Sequence, residues 1–343
     1  MIVEGKAKIF TDGIFYNPRM KFCRDLDMLI FAELEKNEIL DAFSATGIRG
    51  IRAMLEAERE VVFNDADPRA VEIIKRNLQL NGLSAEVHCS EATILMRQNS
   101  FRHIDIDPFG SPANYVESAC ISAETLSVTA TDLEALCCKN SAGMRKYSAV
   151  VFKTDAPHEV GLRVLLGYIA RISARFEKKI EPLVSWTREH YYRVHLRLKR
   201  STSQSLKMFE KLGFLVYCHK CLRRGVVRFG EIPEKRCKCG SENLALGPLW
   251  VGELKDPAFL ERVLKRADGE QKKFLIKLAE EIDSPKAYNI QKICSLLRRS
   301  VPPTVELVEK LRSEGFKASA THYCGYCIKT DADVGDIIRL LSS

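Results

Sequence analysis

Between about residues 39 and 151 the chain repeats a short apolar run, a turn and a helical pattern. This rhythm is typical of strands that alternate with helices in a parallel sheet. A helix is predicted over 69–80, because Pro68 suits a first helical turn and Asn81-Gly82 ends the pattern. The predicted strands are 38–42, 61–63, 85–88, 104–106 and 126–129. The pattern therefore predicts an α/β fold with a Rossmann-like sheet.

The chain has 343 residues, which is long for one hydrophobic core, since single cores stop growing near about 250 residues. A helix is predicted over 158–176, followed by strands over 180–184 and 191–198. The polar, basic stretch 199–205 then interrupts the pattern. We place a domain boundary there, which gives a first domain of residues 1–200 and a smaller α+β domain of residues 201–343. In the second domain a cysteine-rich β segment is predicted over 214–243, with helical patterns at 257–283 and 304–314.

The overall composition is that of a folded soluble protein, with 46% hydrophobic and 29% charged residues. No run of about 18 apolar residues is present, so a membrane span is not expected. The first residues lack the layout of a signal peptide, and we expect a cytoplasmic protein. A net charge of +8 slightly favours a polyanionic partner.

A turn over residues 41–50 follows the first predicted strand and opens a helix, where a Rossmann-like sheet binds nucleotides. It contains only Gly47 and Gly50, whereas the dinucleotide fingerprint has three glycines, which argues against NAD and an oxidoreductase. Asp65 stands about 18 residues after Gly47, the position of an acid that binds ribose hydroxyls. S-adenosylmethionine fits this arrangement because it contains the nucleoside without a pyrophosphate.

Two further acids near the predicted strand ends belong to the same candidate site. Glu91 and the neighbouring Ala92 end the third strand, where they can flank an adenine. Asp67 is either a second ribose ligand or only the cap of the helix that begins near Pro68.

The stretch 105–112, Asp-Ile-Asp-Pro-Phe-Gly-Ser-Pro, ends the fourth predicted strand. An exocyclic amine on a base is a poor nucleophile, so an enzyme must hold it in line with the methyl donor. The Asp107 carboxylate and the Pro108 carbonyl can accept its hydrogen bonds, and Phe109 can stack on the base. Two alternatives remain open at this stage: the stretch is an ordinary turn, or Asp105 is the functional acid.

Seven strings in the same order resemble the tRNA guanine-26 N2-dimethyltransferase family, and they span almost the whole chain. They are 15–20 (FYNPRM), 23–26 (CRDL), 44–49 (SATGIR), 105–112 (DIDPFGSP), 128–132 (VTATD), 158–163 (HEVGLR) and 329–332 (KTDA). The resemblance implies an enzyme that methylates the N2 amine of guanine 26 of tRNA once and then again.

The same resemblance implies roles for individual residues. Arg24 and Arg49 are expected to contact the methyl donor together with Asp65, Glu91 and Ala92. Asp107 is expected to be the catalytic acid, next to Pro108. Phe15 and Phe109 are expected to sandwich the target base, which must be unstacked from the tRNA.

Two close cysteine pairs, Cys218/Cys221 and Cys237/Cys239, predict a closed tetrahedral site for a structural Zn²⁺ ion. The second pair has one intervening residue and not the usual two, so either His219 replaces one cysteine or the geometry is strained. A third pair, Cys324/Cys327, is compatible with a disulfide or with a metal contact.

Basic residues cluster around the cysteines and in the helices beyond them, and together they predict a surface for tRNA phosphates. They are Lys220, Arg223, Arg224, Arg228, Lys235, Arg236, Lys238, Lys265, Arg266, Lys272, Lys273, Arg298 and Arg299. No obligate protein partner is evident, and a monomer is expected.

Two rival functions fit the sequence less well. Amino methyltransferases of adenine or cytosine carry Asp or Asn, two prolines and an aromatic residue, whereas here a single Pro108 precedes Phe109-Gly110. The other rival is a non-enzymatic zinc-containing RNA-binding protein with a degenerate Rossmann domain, which would not bind S-adenosylmethionine.

Overall fold

The structure is a computed structural model that describes residues 1–35 and 38–342. Up to Arg200 most strands alternate with helices. The strands of this part are β1 Ile2–Glu4, β2 Ala7–Ile9, β3 Ile39–Asp41, β4 Val61–Asp65, β5 Val87–Cys89, β6 Phe101–Ile106, β7 Ala123–Ala130, β8 Lys178–Arg188 and β9 Tyr191–Arg200. Its helices are α1 Lys21–Glu33, α2 Ile48–Glu56, α3 Pro68–Leu80, α4 Ala92–Gln98, α5 Ala113–Ser122, α6 Leu133–Cys137, α7 Asn140–Tyr147 and α8 Pro157–Ala174.

Seven of these strands form one sheet in the order β5-β4-β3-β6-β7-β9-β8. The five strands β5, β4, β3, β6 and β7 are parallel to one another. Strand β9 is antiparallel to both β7 and β8. Strand order reverses between β3 and β6, and ligands bind beyond the carboxyl ends of the strands at such a point. The predicted Rossmann-like sheet is confirmed, and each predicted strand up to residue 200 overlaps an observed one.

Helix α3 shows how local sequence determines these elements. Its N-cap is Asp67, whose side chain accepts a hydrogen bond of 2.9 Å from the amide of Arg69. Val71, Ile74 and Leu78 recur at helical spacing and are buried against the sheet. Of the two readings of Asp67, the helix cap is therefore the one that the structure supports.

After Arg200 the chain forms two antiparallel three-stranded sheets and several helices, which confirms the predicted α+β organisation. The strands are β10 Leu212–Tyr217, β11 Arg224–Arg228, β12 Leu244–Trp250, β13 Ala287–Asn289, β14 Ala318–Ala320 and β15 Cys327–Thr330. The helices are α9 Thr202–Lys207, α10 Pro257–Arg266, α11 Gly269–Glu280, α12 Ile290–Leu297, α13 Thr304–Ser313 and α14 Val334–Ser342. Among the helices of the described residues, none is both long and apolar enough to cross a bilayer.

The helical pattern predicted over 257–283 proved to be two helices. The chain leaves the helix at Ala267, and α11 begins after Asp268, the residue at its N-cap position. Gly269 has a φ of +48°, which a glycine adopts at little cost. The helical pattern predicted over this range is therefore confirmed, and it consists of two helices, α10 and α11.

The two parts of the chain pack closely against each other. Gly167 of α8 faces β12, and a Cβ atom at this position would lie 2.9 Å from the Cα of Leu249. Lys329 of β15 places its Nζ 2.8 Å from Glu159 of α8 and 2.5 Å from Glu281, and all three side chains are buried. Both apolar clusters contain residues from each side of residue 200. The domain boundary itself stays a prediction.

Candidate active site and metal centre

A pocket of about 340 Å³ lies beyond the carboxyl ends of β3, β4 and β6, at the reversal point of the sheet. The segment before α1 and the turn between β8 and β9 complete its walls. The lining residues are Phe15, Tyr16, Asn17, Met20, Arg24, Asp41, Phe43, Ser44, Ala45, Thr46, Ile48, Arg49, Asp65, Asp107, Pro108, Phe109, Thr131 and His190. Seven of the nine residues predicted to bind donor or base are in this set; Glu91 and Ala92 are not.

The turn between β3 and α2 forms one wall of the pocket. Gly47 has a φ of +77°, a conformation that favours glycine, and its amide donates to the carbonyl of Ser44 over 2.7 Å. Asp65 at the end of β4 accepts hydrogen bonds of 2.9 Å from the amides of Ala45 and Asp67. These two bonds fix the Asp65 carboxylate at the pocket wall.

Glu91 and Ala92 lie at the start of α4. The Glu91 carboxylate is the N-cap of this helix and accepts hydrogen bonds from the amides of Thr93 and Ile94. Ala92 is buried. Neither residue lines the pocket, and their contact with an adenine therefore stays a prediction.

The two arginines expected to contact the donor both form internal ion pairs. Arg24 binds the Glu4 carboxylate through Nε at 2.7 Å and Nη2 at 2.6 Å. Burial favours a high pKa for Glu4, but the hydrogen bond and charge of Arg24 outweigh it and lower this pKa to about 2. Arg49 pairs with Asp27, Asp105 and Asp107, its Nε lying 3.0 Å from Asp105. Both arginines line the pocket as members of charge clusters.

The two candidate acids at the end of β6 lie in different environments. Asp105 is buried and ion-paired with Arg49 and Arg193. Asp107 lines the pocket, and its side chain is 23% exposed. Burial would raise the pKa of Asp107, but the charges of Arg49 and Arg193 outweigh it and lower this pKa. Of the two, Asp107 is therefore the carboxylate that a substrate in the pocket can reach.

The turn that carries Asp107 is held by hydrogen bonds from Thr131, directly after β7, and from Tyr147 of α7. Gly110, with a φ of +79°, exchanges bonds of 3.0 and 2.9 Å with the hydroxyl and amide of Thr131. The hydroxyl of Ser111 lies 2.9 Å from that of Tyr147, which in turn donates to Asp132 over 2.7 Å. Because hydrogen bonds hold the turn at Gly110 and Ser111, Pro108 and Phe109 have a fixed position.

We expect Tyr147→Phe to lower kcat for the reaction in this pocket by about 3- to 10-fold, the effect of one hydrogen bond. The ring is retained, so the core stays packed, while Ser111 loses its link to Asp132. Steady-state kinetics and donor titration check this result. The matched control is Tyr288→Phe, which removes another buried hydroxyl, bonded to the carbonyl of Ala332 at 3.3 Å. An equal loss in both variants would contradict a specific role of Tyr147.

The two aromatic residues expected to sandwich a base are the most exposed part of the pocket. Phe109 is 75% and Phe15 is 52% exposed. Their ring centroids are 4.4 Å apart, and the ring planes are inclined by 68°. A base held between two parallel rings needs about 7 Å, which is two van der Waals contacts. A sandwich therefore requires these side chains to rotate apart, a common change on binding.

The four predicted metal ligands come together. The sulfurs of Cys218, Cys221, Cys237 and Cys239 all lie within 4.8 Å of one another. The sulfurs of Cys218 and Cys239 are 3.6 Å apart, and those of Cys221 and Cys237 are 3.5 Å apart. Four sulfurs about 2.3 Å from one Zn²⁺ in a tetrahedron lie about 3.8 Å apart, so the cluster fits zinc. Four thiolates complete the shell without His219, which is not part of the group.

The third cysteine pair is resolved differently. Cys324 and Cys327 form a disulfide at the start of β15. Of the two alternatives that the spacing left open, the structure contains the covalent bond.

The predicted basic surface needs one correction. Arg224 is buried, its Nη2 lies 2.6 Å from Asp155, and its guanidinium also binds the carbonyl of Ala287. Its charge is neutralised inside the protein, so it is not available to a phosphate. Most of the other basic residues are exposed, among them Lys220, Arg236 and Lys238.

Several residues around the pocket were not identified from the sequence. Asp27 and Arg193 meet behind Asp107 although 166 positions separate them in the chain. A charged residue in the middle of a buried strand was the available signal for Arg193, because such a side chain needs a buried partner. Tyr147 carried no comparable signal.

The chain is similar over its whole described length to known proteins. Residues 1–342 match the family model described as N2,N2-dimethylguanosine tRNA methyltransferase. A tRNA (guanine(26)-N(2))-dimethyltransferase from Archaeoglobus fulgidus is 51% identical over 344 residues, covering 100% of this chain and 98% of the relative. One from Methanosarcina acetivorans is 36% identical, with 100% and 98% covered.

A solved structure extends the likeness to three dimensions. Trm1 from Pyrococcus horikoshii, determined in complex with S-adenosyl-L-methionine, is 33% identical. It superposes with a TM-score of 0.91, and 98% of each chain is covered. This chain therefore belongs to the N2,N2-dimethylguanosine tRNA methyltransferase family.

Proposed function

We propose that this chain transfers a methyl group from S-adenosylmethionine to the exocyclic N2 of guanine 26 in tRNA, and then a second to the same nitrogen. The observation that carries the proposal is the turn after β6. It sets the Asp107 carboxylate in the pocket and the exposed ring of Phe109 at its rim. The names of the full-length relatives agree with this function.

Bound S-adenosylmethionine supplies a methyl group on a positively charged sulfur. The fixed carboxylate of Asp65 at the end of β4 is suited to the ribose hydroxyls. Arg24 and Arg49 line the pocket on the side of α1 and α2, where they are proposed to face the methionine part. Glu91 and Ala92 are proposed to flank the adenine at the neighbouring strand end.

The target guanine is proposed to lie between Phe15 and Phe109 after these rings separate. The amine of the base would donate one hydrogen bond to the Asp107 carboxylate and one to the carbonyl of Pro108. Such bonds orient the lone pair toward the methyl group, and orientation contributes most when the acceptors are preorganised.

Asp107 stays ionised in this scheme because the neighbouring arginines lower its pKa. A carboxylate next to the amine stabilises the positive charge that develops on N2 as the methyl group is transferred. As the new N–C bond forms and the S–C bond breaks, the donor is left as neutral S-adenosylhomocysteine. The methylated amine then gives one proton to the Asp107 carboxylate, which passes it to solvent, and retains one N–H. A single acceptor is enough to orient it for the second transfer.

We expect Phe109→Ala to lower kcat/KM for tRNA by about 10- to 100-fold, since stacking on an aromatic ring contributes about 1–3 kcal/mol per base. Affinity for the donor should change little, because Phe109 lies at the rim. Initial rates at varied tRNA concentration measure the effect. Phe109→Tyr keeps the ring and is the control, expected to retain most activity. A large loss with tyrosine as well would argue against stacking.

The second domain, residues 201–343, is proposed to bind tRNA, with residues 1–200 forming the methyltransferase domain. A zinc ion held by Cys218, Cys221, Cys237 and Cys239 would fix the loops that carry Lys220, Arg236 and Lys238. These exposed side chains can bind phosphates by charge. We further propose a cytoplasmic monomer.

Two tRNA transcripts that differ only at position 26 test the proposal. With guanine at this position, up to two labelled methyl groups should enter each tRNA. With adenine, incorporation should fall to background. Equal incorporation would mean that another nucleotide is the target. The alternative of a non-enzymatic RNA-binding scaffold predicts no saturable binding of S-adenosylmethionine, which calorimetry would reveal independently of catalysis.

A further inference from the structure

A closed ring of four charged side chains lies directly behind Asp107. Arg193 of β9 binds Asp27 of α1 through Nε and Nη2, both at 3.0 Å. It binds Asp105 of β6 through Nη1 at 2.7 Å. Arg49 of α2 binds the same two carboxylates from the other side, with its Nε 3.0 Å from Asp105. Each aspartate thus bridges both arginines.

The ring is buried, and it reaches the pocket at one point. The side chains of Arg193, Asp27 and Asp105 are fully inaccessible to solvent, and that of Arg49 is 7% exposed. The remaining nitrogen of Arg49, Nη2, pairs with Oδ2 of Asp107. Arg193 also donates to the hydroxyl of Thr129 over 2.9 Å.

Stability does not explain such a ring. Desolvation of buried charges often cancels the attraction between them, so apolar side chains of similar volume would serve the fold at least as well. The effect of the ring on the orientation of Arg49 offers a better explanation. An arginine whose guanidinium is held by two bridging carboxylates has one orientation, and its last nitrogen then fixes the carboxylate in the pocket.

We propose that Arg193 and Asp27 are positioning residues for methyl transfer, which act by orienting Arg49 so that it holds the Asp107 carboxylate toward the target amine. The proposal rests on the proposed function of the pocket. It assigns a role to two residues that do not line the pocket and that lie on elements far apart in the chain.

The charges around Asp107 determine whether its pKa should rise or fall when the ring is altered. The ionisable groups that face it are Arg24 and Cys23 of α1, Asp41 of β3, Arg49 of α2, Asp105 of β6 and Arg193 of β9. Burial raises the pKa of Cys23 and that of Asp41, which reduces the negative charge beside Asp107. The arginines therefore keep the pKa of Asp107 low, and an Arg49 that is not held in place should let it rise.

Arg193→Lys is the first test, because it keeps the charge and removes the bridge between the two carboxylates. We expect kcat to fall by about 10- to 100-fold, with little change in KM for the donor, as displacement of a reacting group by about 1 Å can produce such a loss. A ¹³C NMR titration from about pH 8 to about pH 2, which extends below the ordinary pKa of an aspartate, follows the Asp107 carboxylate, assigned by its absence in Asp107→Asn. Its pKa should rise by about one unit in Arg193→Lys.

Asp27→Asn is the second test, and it separates position from charge. It also opens the ring, so kcat should again fall about 10-fold. The ring would then have one negative charge fewer, which offsets the effect of a released Arg49, so the pKa of Asp107 should stay the same or decrease. The matched control is Arg163→Lys, which alters another buried arginine, paired with Glu159 at 2.6 Å. It should leave kcat and the titration unchanged.

If Arg193→Lys and Asp27→Asn fold and show wild-type kcat and titration, the positioning role is refuted. Losses of kcat no larger than that of Arg163→Lys, together with an unchanged Asp107 titration in Arg193→Lys, would also refute it. The titration needs no substrate, so it tests the ring even if the wild type failed to methylate guanine 26. An inactive wild type would refute the proposed function. An active wild type whose two ring variants have the same kcat and the same Asp107 titration would refute only the role of the ring.

Discussion

Asp107→Ala should lower kcat for methyl transfer by about 10³-fold, within the range of about 10²–10⁴ that a positioned catalytic carboxylate contributes. The variant removes both the hydrogen-bond acceptor for the amine and the negative charge that stabilises the developing cation. Arg49 keeps Asp27 and Asp105 as partners, so no buried charge is left unpaired and the fold should persist. Single-turnover kinetics with labelled donor measure the rate, and calorimetry measures donor affinity.

Asp107→Asn is the informative control for this prediction. Its side-chain oxygen still accepts a hydrogen bond, but the charge is absent. A rate between those of the wild type and the alanine variant would divide the contribution of Asp107 into position and charge. If Asp107→Ala retained more than about a tenth of the wild-type rate, a catalytic carboxylate contribution would be contradicted.

Cys237→Ser should abolish zinc binding and weaken tRNA binding by at least about 10-fold. Structural zinc in isolated fingers contributes about 10–16 kcal/mol to folding, so loss of one ligand is expected to disorder the loops that the four cysteines hold together. The donor pocket is built from the other part of the chain and should keep its affinity. Metal analysis by mass spectrometry, tRNA titration and donor calorimetry measure the three quantities.

Cys294→Ser is the matched control, because Cys294 is also buried but lies in α12, outside the cluster. It should retain one zinc ion per chain and wild-type tRNA affinity. A Cys237→Ser protein with a full complement of zinc would show that the cysteines are not the ligands. A zinc-free protein with unchanged tRNA affinity would show that tRNA binding does not need the metal.

Local patterns in the sequence were sufficient for the sheet and for helix α3. Strand runs between turns identified the strands around the pocket, and Asp67-Pro68 defined where α3 begins. The cysteine spacing was also sufficient for the metal cluster, although Cys237 and Cys239 are separated by one residue. In each case the information lies within a few neighbouring residues, which is the range that periodicity and capping report.

The parts that could not be predicted depend on contacts between distant segments. Arg193 belongs to a strand whose antiparallel position between β7 and β8 is a property of the whole sheet. Only that position brings it to Asp27 and Asp105. The edge-on contact of Phe15 with Phe109 likewise depends on how two separate segments meet. The pairing of Glu91 with its own helix amides reflects a local competition that the ligand-binding prediction did not consider.

The most direct test of the central claim is to incubate unmodified tRNA with the enzyme and S-adenosylmethionine and to analyse the digested nucleosides by mass spectrometry. The account predicts N2-methylguanosine early in the reaction and N2,N2-dimethylguanosine at its end, with neither formed by Asp107→Ala. Absence of both nucleosides from a wild-type reaction that binds donor and tRNA would contradict it.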